Sequence, residues 1–247
     1  MALIGRLGLG LLAVLLSFGC GGPGEGSDLA QADTAEVRQV GPEDFAVRRC
    51  SAVTDGVGCL IVQAGGKTLL FGAPEGAMES LQAARVDQPD GLFASSLDPT
   101  NLEGVARLRN QSWRLGRTVP LLLAGPDGVA SFAAGLDQAF ARPDAFVYIE
   151  ERPRGDFDAV LIAPLEVPAG AEVKVFDTGD LRVDGVATPS SAVTYVVRYG
   201  GRSLEIEPCL GTARRLEGVP VSLALSCEAQ SGRSGWPGAS GVIWLDR

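Results

Sequence analysis

The order of strand and helix signals after residue 43 constrains the fold more than any other feature. Strand-rich runs come first, residues 44–50 (DFAVRRC) and 57–73 (VGCLIVQAGGKTLLFGA). They are punctuated by Asp55-Gly56 and Gly65-Gly66, dipeptides that suit tight hairpin turns. Residues 67–140 then alternate strand with helix. Met78, Leu81 and Ala84 recur at helical spacing within 74–86, and 90–95 (DGLFAS) reads as a short buried strand. Residues 101–109 read as helix, 118–125 as strand and 126–140 as a helix opened by Pro-Asp-Gly. Strand patterns dominate the rest of the chain, at 144–150, 157–164, 171–177, 180–187, 192–201, 202–209, 219–227 and 241–246. Hairpins, then strand–helix units, then a strand-rich half fit an α/β protein. The predicted architecture is a four-layer αββα sandwich, two mixed sheets packed face to face with helices outside. The 247 residues give enough chain for one large domain of this kind.

The N-terminus reads as a targeting segment. Met1–Arg6 carries one positive charge, and residues 7–19 (LGLGLLAVLLSFG) form an apolar core of signal-peptide length. Cys20 follows, then Gly21 and Gly22. An apolar core ending in small residues directly before a cysteine resembles a bacterial lipoprotein signal, with Cys20 as the lipidated first residue. Ordinary signal cleavage, read from Ser17 and Gly19, cuts at the same place. Residues 21–42 are Gly-rich and polar and read as a flexible tether. The expected organisation is a signal peptide at 1–19, a lipidated cysteine and tether at 20–42, and a folded domain at 43–247. The expected location is outside the cytoplasm, held to a bacterial membrane on the periplasmic or cell-surface side.

The composition excludes several kinds of chemistry. There is no histidine, which removes Ser-His-Asp and Cys-His catalysis and every His-ligated zinc site. The net charge of −9 argues against a basic nucleic-acid surface. Export implies an oxidising compartment, where Cys50, Cys59, Cys209 and Cys227 can form two disulfides. Four cysteines allow three connectivities. The local pairs, Cys50–Cys59 and Cys209–Cys227, are favoured. A two-residue turn at Asp55-Gly56 would set Cys50 and Cys59 diagonally across their hairpin.

Several words in the chain, in order, resemble the metallo-β-lactamase fold superfamily, closest to its ribonuclease Z and arylsulfatase-like branch. They are GCLIVQAGGKTLLFGAPEGAMESL (58–81), LLLAGPDGVASFAAGLDQAF (121–140) and AVTYVVRYGGRSLEI (192–206). The resemblance spans about residues 43–230. In that family the strand after the first helix ends in T-H-x-H-x-D-H, where this chain reads SSLDPTNLEG (95–104). The resemblance implies that Ser96 and Asp98 replace the first two histidines and that Thr100 and Asn101 replace the acid and the third. Gly104 is kept. The bridging aspartate falls near Cys209, the last histidine near Cys227 and an intermediate one near Val186–Thr188. Gly72 stands where the family often carries aspartate.

A hydrolytic di-zinc centre needs five or more N and O ligands and an open position for water. Ser96, Thr100 and Asn101 are weak neutral donors, so no metal ligand, catalytic residue or cofactor is expected. Two thiolates at Cys209 and Cys227 could hold a soft metal such as Cu(I), but the resemblance implies that both lie at strand ends where the family's ligands converge, within disulfide reach. Asp98, Glu103, Asp177, Asp180 and Asp184 read as solvated acids on turns. Gly-Pro-Asp-Gly at 125–128 could bind an anion at a helix start, with Asp127 as an ordinary cap the simpler reading. The expected protein is a lipid-anchored, non-catalytic binding or structural module for a small-molecule or protein ligand. The rival is an active hydrolase that uses atypical ligands such as Asp98, Cys209 and Cys227, the only reading in which zinc is a cofactor. A third reading is an unrelated exported α/β protein.

Overall fold

Alternating apolar residues sort the strands into layers. The structure is a computed structural model that describes residues 39–53, 58–189, 192–209, 213, 218, 220–227, 234–235, 237 and 241–245. The segments expected as signal peptide and tether up to residue 38, Cys20 among them, and the turn expected at Asp55-Gly56 lie outside the described residues. In chain order the elements are β1 (Phe45–Arg49), β2 (Leu60–Ala64), β3 (Lys67–Phe71), α1 (Ala77–Ala83), β4 (Gly91–Phe93), α2 (Pro99–Leu102), α3 (Val105–Arg114), β5 (Leu121–Pro126) and α4 (Val129–Glu150). A 3-10 turn at Phe157–Val160 leads into β6 (Ile162–Val167), β7 (Glu172–Asp177), β8 (Arg182–Ala187), β9 (Val193–Tyr199), β10 (Arg202–Ile206), β11 (Leu223–Ser226), β12 (Ser234–Gly235) and β13 (Val242–Trp244).

Among the described residues, seven strands form one mixed sheet in the order β13-β1-β2-β3-β4-β5-β6. Six form the other, in the order β12-β11-β10-β9-β8-β7. The inner faces meet in one apolar core. Val62, Leu69, Phe71 and Phe93 of the first sheet pack there with Val183, Tyr195, Val197 and Leu204 of the second. The alternate residues Ile61, Leu70, Leu92 and Leu123 point the other way and bury Met78, Leu81, Leu108 and Val129 from the helices. The four described helices thus stand on the outer face of the seven-stranded sheet. The fold is the expected α/β sandwich of two mixed sheets with outer helices.

Strand direction gives the domain two distinct ends. Strands β3, β4, β5 and β6 are parallel to one another, and β1 is antiparallel to the intervening β2. The main-chain N–H of Val193, at the start of β9, donates to the Ser95 carbonyl just past β4, 2.8 Å away. Since β8 and β10 run against β9, and β11 runs with β10, these three finish at the same end as β4. This is the cleft end of the domain. The chain enters β1 at the opposite, far end, beside the Gly65-Gly66 turn. Both of those glycines have positive φ, as the tight turn between β2 and β3 requires.

Three local expectations need correction. Residues 144–150, read as a strand from their Phe, Val, Tyr and Ile, continue α4 through the exposed Pro143. Tertiary contacts outweigh strand propensity here: Asp144 and Val147, one helical turn apart, are the buried positions of the segment. Residues 157–160 form a 3-10 turn, so the strand read at 157–164 starts only at Ile162. Cys50 and Cys59 form a disulfide directly across the hairpin, with Cα atoms 5.4 Å apart. The observed register sets Arg49 against Leu60, which a two-residue turn at Asp55-Gly56 would not do.

Candidate functional site

The residues that the sequence resemblance sets at ligand positions lie at the cleft end. Residues 95–101 leave β4 and turn into α2, where Asp98 is the N-cap. One oxygen of the Asp98 carboxylate accepts both the Thr100 hydroxyl at 2.6 Å and the Thr100 main-chain N–H at 2.9 Å. These two bonds, the hydroxyl first, hold the Asp98 carboxyl below the usual carboxylate range. The buried Asn101 donates its amide to the Ser96 hydroxyl at 2.8 Å. That hydroxyl also accepts the Asp98 main-chain N–H at 3.3 Å. The four positions therefore bond within one turn and one cap.

Two glycines shape the floor beneath them. Gly72 follows β3 with a φ of +78°, and a Cβ there would come within 2.0 Å of the Gly58 carbonyl oxygen. A side chain does not fit, so the family's aspartate cannot be accommodated at position 72 in this backbone. A Cβ on Gly104 would meet the Pro74 carbonyl oxygen at 2.2 Å. Its N–H donates to the Ala73 carbonyl at 2.8 Å, pinning the start of α3 to the chain after β3. Gly104 keeps this close approach although the ligands around it have changed.

On the facing sheet, Cys209 and Cys227 form a disulfide with Cα atoms 5.2 Å apart. They follow the parallel strands β10 and β11 and tie those ends together at the cleft end. The stretch expected near the intermediate histidine, Val186–Thr188, lies at the end of β8, and the buried Thr188 accepts the Ala192 N–H at its hydroxyl, 3.2 Å away. Deeper in the core, Tyr195 is buried against Phe71 and Phe93. Its hydroxyl donates to the Ala94 carbonyl at 2.8 Å and also lies 3.3 Å from the Ala124 carbonyl. Burial pushes this phenol up, so it stays protonated and serves as a bridge between the sheets. Tyr195 was missed as a site-supporting residue because its strand position reads only as core.

The other candidates separate by position. The helix start at 125–128 is already occupied by the chain's own anion. A Glu166 oxygen accepts the Gly128 and Ala130 main-chain N–H groups at 2.9 and 3.2 Å. Asp127 is not the helix cap: its carboxylate turns away to accept the Ala169 N–H at 3.0 Å. Asp177 and Asp180 close the turn between β7 and β8 at the far end. Asp184 is not a solvated turn acid. It lies within β8, fully buried, and is paired with Arg182 and Arg198. Glu103 accepts the Glu75 N–H at 3.3 Å beside a hollow of about 220 Å³, which is lined by Pro74, Gly76, Met78, Glu79 and Arg107.

These donors do not fit a di-zinc centre. Asp98 is the one anionic candidate left at the aligned positions, since the two thiols are joined to each other. Among the described residues, no three Cys, Asp or Glu side chains converge as a metal site would require. Among the same residues, no helix is long and apolar enough to cross a membrane.

No protein-family model matches the chain, and no curated protein matches it in sequence. Solved structures do match. Human tRNase Z, short form, superposes with a TM-score of 0.53 at 13% identity, covering 73% of this chain and 76% of that one. The metallo-β-lactamase fold protein YhfI from Bacillus subtilis gives 0.51 at 11% identity, covering 74% and 71%. The chain has the metallo-β-lactamase fold, and it lacks the histidines that the superfamily's motif supplies.

Proposed function

We propose that this is an exported, lipid-anchored protein in which a metallo-β-lactamase fold serves as a non-catalytic binding or structural module. Its small-molecule or protein ligand is met at the cleft end. The carrying observation is how the aligned ligand positions bond. Asn101 bonds Ser96, Thr100 bonds Asp98 and Cys209 bonds Cys227, so these groups complete one another and leave no convergent set aimed at an ion. Without a bound metal, nothing in the fold lowers the pKa of a water toward neutrality. Two disulfides suit an oxidising compartment and support export. The leader, with Cys20 directly after it, supports the anchor.

Elemental analysis of the purified chain after dialysis tests this reading. Far less than one zinc per chain is expected, with no hydrolysis of phosphodiester, β-lactam or thioester substrates above background when Zn²⁺ or Mn²⁺ is added. Stoichiometric metal that is lost together with activity on Asp98→Ala would establish the rival hydrolase reading instead.

A further inference from the structure

Large apolar side chains exposed to solvent are distributed unevenly between the two ends of the domain. Among the described residues, Leu97 is the exposed large apolar side chain at the cleft end. Leu115 ends α3, Val119 precedes β5 and Val221 precedes β11, all at the far end, and Phe146, Tyr148 and Ile149 lie in the last turn and a half of α4. Phe146 and Ile149 are the most exposed, at 66% and 67%. They sit about one turn apart on a helix face whose other exposed residues are Gln138, Ala139, Arg142, Pro143 and Glu150. A solvated helix face is normally rich in charge, so this face has the composition of one that meets something apolar.

The helix also reaches past the sheet. Asp137, midway along α4, accepts the main-chain N–H of Ile162 at the first residue of β6. Helix α4 starts at the cleft end and runs antiparallel to β5 and β6. Its last thirteen residues therefore continue about 20 Å beyond that level at 1.5 Å per residue. The tip packs against the end of α3. Trp113 stacks on Tyr148, and Arg114 pairs with Glu151 at 3.0 Å.

The chain outside the described domain joins at this same end. Pro42 packs beside Gly66, and its carbonyl accepts the Tyr199 hydroxyl at 3.5 Å. Twenty-one residues separate Cys20 from Pro42 in the sequence, so a lipid at Cys20 would be tied to this end of the domain. We infer that the far end is the bilayer-facing surface of the protein. The tip of α4, through Phe146 and Ile149, enters the headgroup region, and the cleft end points away from the membrane toward its ligand. The inference rests on the proposed lipid anchor at Cys20. Acidic and basic residues are intermixed around the tip (Arg142, Glu150, Glu151, Arg152), so the contact is apolar and insensitive to salt.

The test uses the full-length gene product in its lipidated form, mixed with phosphatidylcholine vesicles whose acyl chains are brominated. Emission added by Phe146→Trp is expected to be quenched about twofold or more, and emission added by Leu97→Trp at the cleft end to be unaffected. Both positions are exposed, so neither change empties the core. Adding Ile149→Asp to Phe146→Trp should relieve the quenching while the chain still floats with the vesicles after a salt wash. Unquenched Phe146→Trp on a chain that floats overturns the orientation and leaves the anchor standing. Quenched Leu97→Trp overturns it by reversing the domain. A wild-type chain that does not float overturns the anchor and the orientation together. Emission from Phe146→Trp that becomes shielded from acrylamide without vesicles, as protein concentration rises, assigns the face to a second copy and overturns the bilayer contact.

Discussion

Replacing Arg109 with methionine probes what fastens the helical layer. The Arg109 side chain is wholly buried and donates to Asp137 at 2.7 Å and to Asp144 at 2.6 Å; the Asp144 side chain is 1% exposed. Asp137 also receives the Ile162 N–H, so one guanidinium links α3 and α4 at the level where β6 begins. Arg109→Met keeps most of the stem volume and removes the guanidinium, whose carbon lies 5.9 Å from the centre of the Phe140 ring. It leaves Asp144 with Asn110 at 3.4 Å as its remaining partner among these contacts. Breaking a buried pair from one side costs about 3–5 kcal/mol, because the surviving charge keeps its desolvation penalty. At roughly 2–4 °C per kcal/mol for a domain of this size, Tm should fall by about 6–20 °C. Arg109→Met combined with Asp144→Leu removes both charges and should return to within about 2 kcal/mol of the parent, since apolar replacement of a buried pair is often neutral. Calorimetry and urea unfolding, both under non-reducing conditions, give the two numbers. A single variant that loses under about 1 kcal/mol, the range of a surface pair, would refute the assignment. So would a double variant no more stable than the single one.

Cys209→Ser with Cys227→Ser should lower stability by about 3 kcal/mol, from the chain entropy of an 18-residue loop, read as a shift of the urea midpoint. Tyr195→Phe should cost about 1–3 kcal/mol by leaving the Ala94 carbonyl without its donor, and native Tyr195 should show no phenolate absorbance until alkali unfolds the chain. Asp98, Asp177 and Asp180 all have lowered pKa values in the folded chain, each with a side-chain hydrogen bond as the leading cause. Their stabilisation is therefore present above the unfolded carboxylate value near 4 and is lost as the pH falls through their folded values. Carboxyl chemical shifts should show all three titrating below ordinary aspartates, and Asp98→Asn should remove part of the acid sensitivity.

The layers were legible because inner and outer strand positions alternate so consistently. Ile61 and Leu70 face the helices, while Leu60, Leu69 and Phe71 face the other sheet. The course of α4 was not. Phe146, Val147, Tyr148 and Ile149 favour a strand locally, and the reason they stay helical is Arg109, 35 residues from Asp144 in sequence. The Asp184 error has the same form. An acid beside glycine reads as a turn, and only the β8–β9 register, which flanks it with Arg182 and Arg198, accounts for a buried carboxylate in a strand. Glu166 as the partner of the α4 start had no signal either, since it comes from a strand 36 residues beyond Ala130. That Ser96, Asp98, Thr100 and Asn101 follow a buried strand was legible from the apolar run at 91–93. Their mutual bonding depended on the turn geometry after β4, which no spacing rule supplies.

Among the described residues, the strand ends at the cleft end are joined by the chain's own bonds. The Cys209–Cys227 disulfide joins β10 to β11, and the Val193 N–H and the Tyr195 hydroxyl join β9 to the residues just past β4. Gly104 ties α3 to the chain after β3, and Asn101 with Ser96 closes the turn between them. All of these are short-range bonds between groups that are buried or half-buried, so they confer order without an ion. Order at this end would follow the redox state of both disulfides, since Cys50 and Cys59 lie where β1 ends and β2 begins. That is a workable arrangement in an oxidising compartment, and it would be a fragile one in a reducing cytoplasm.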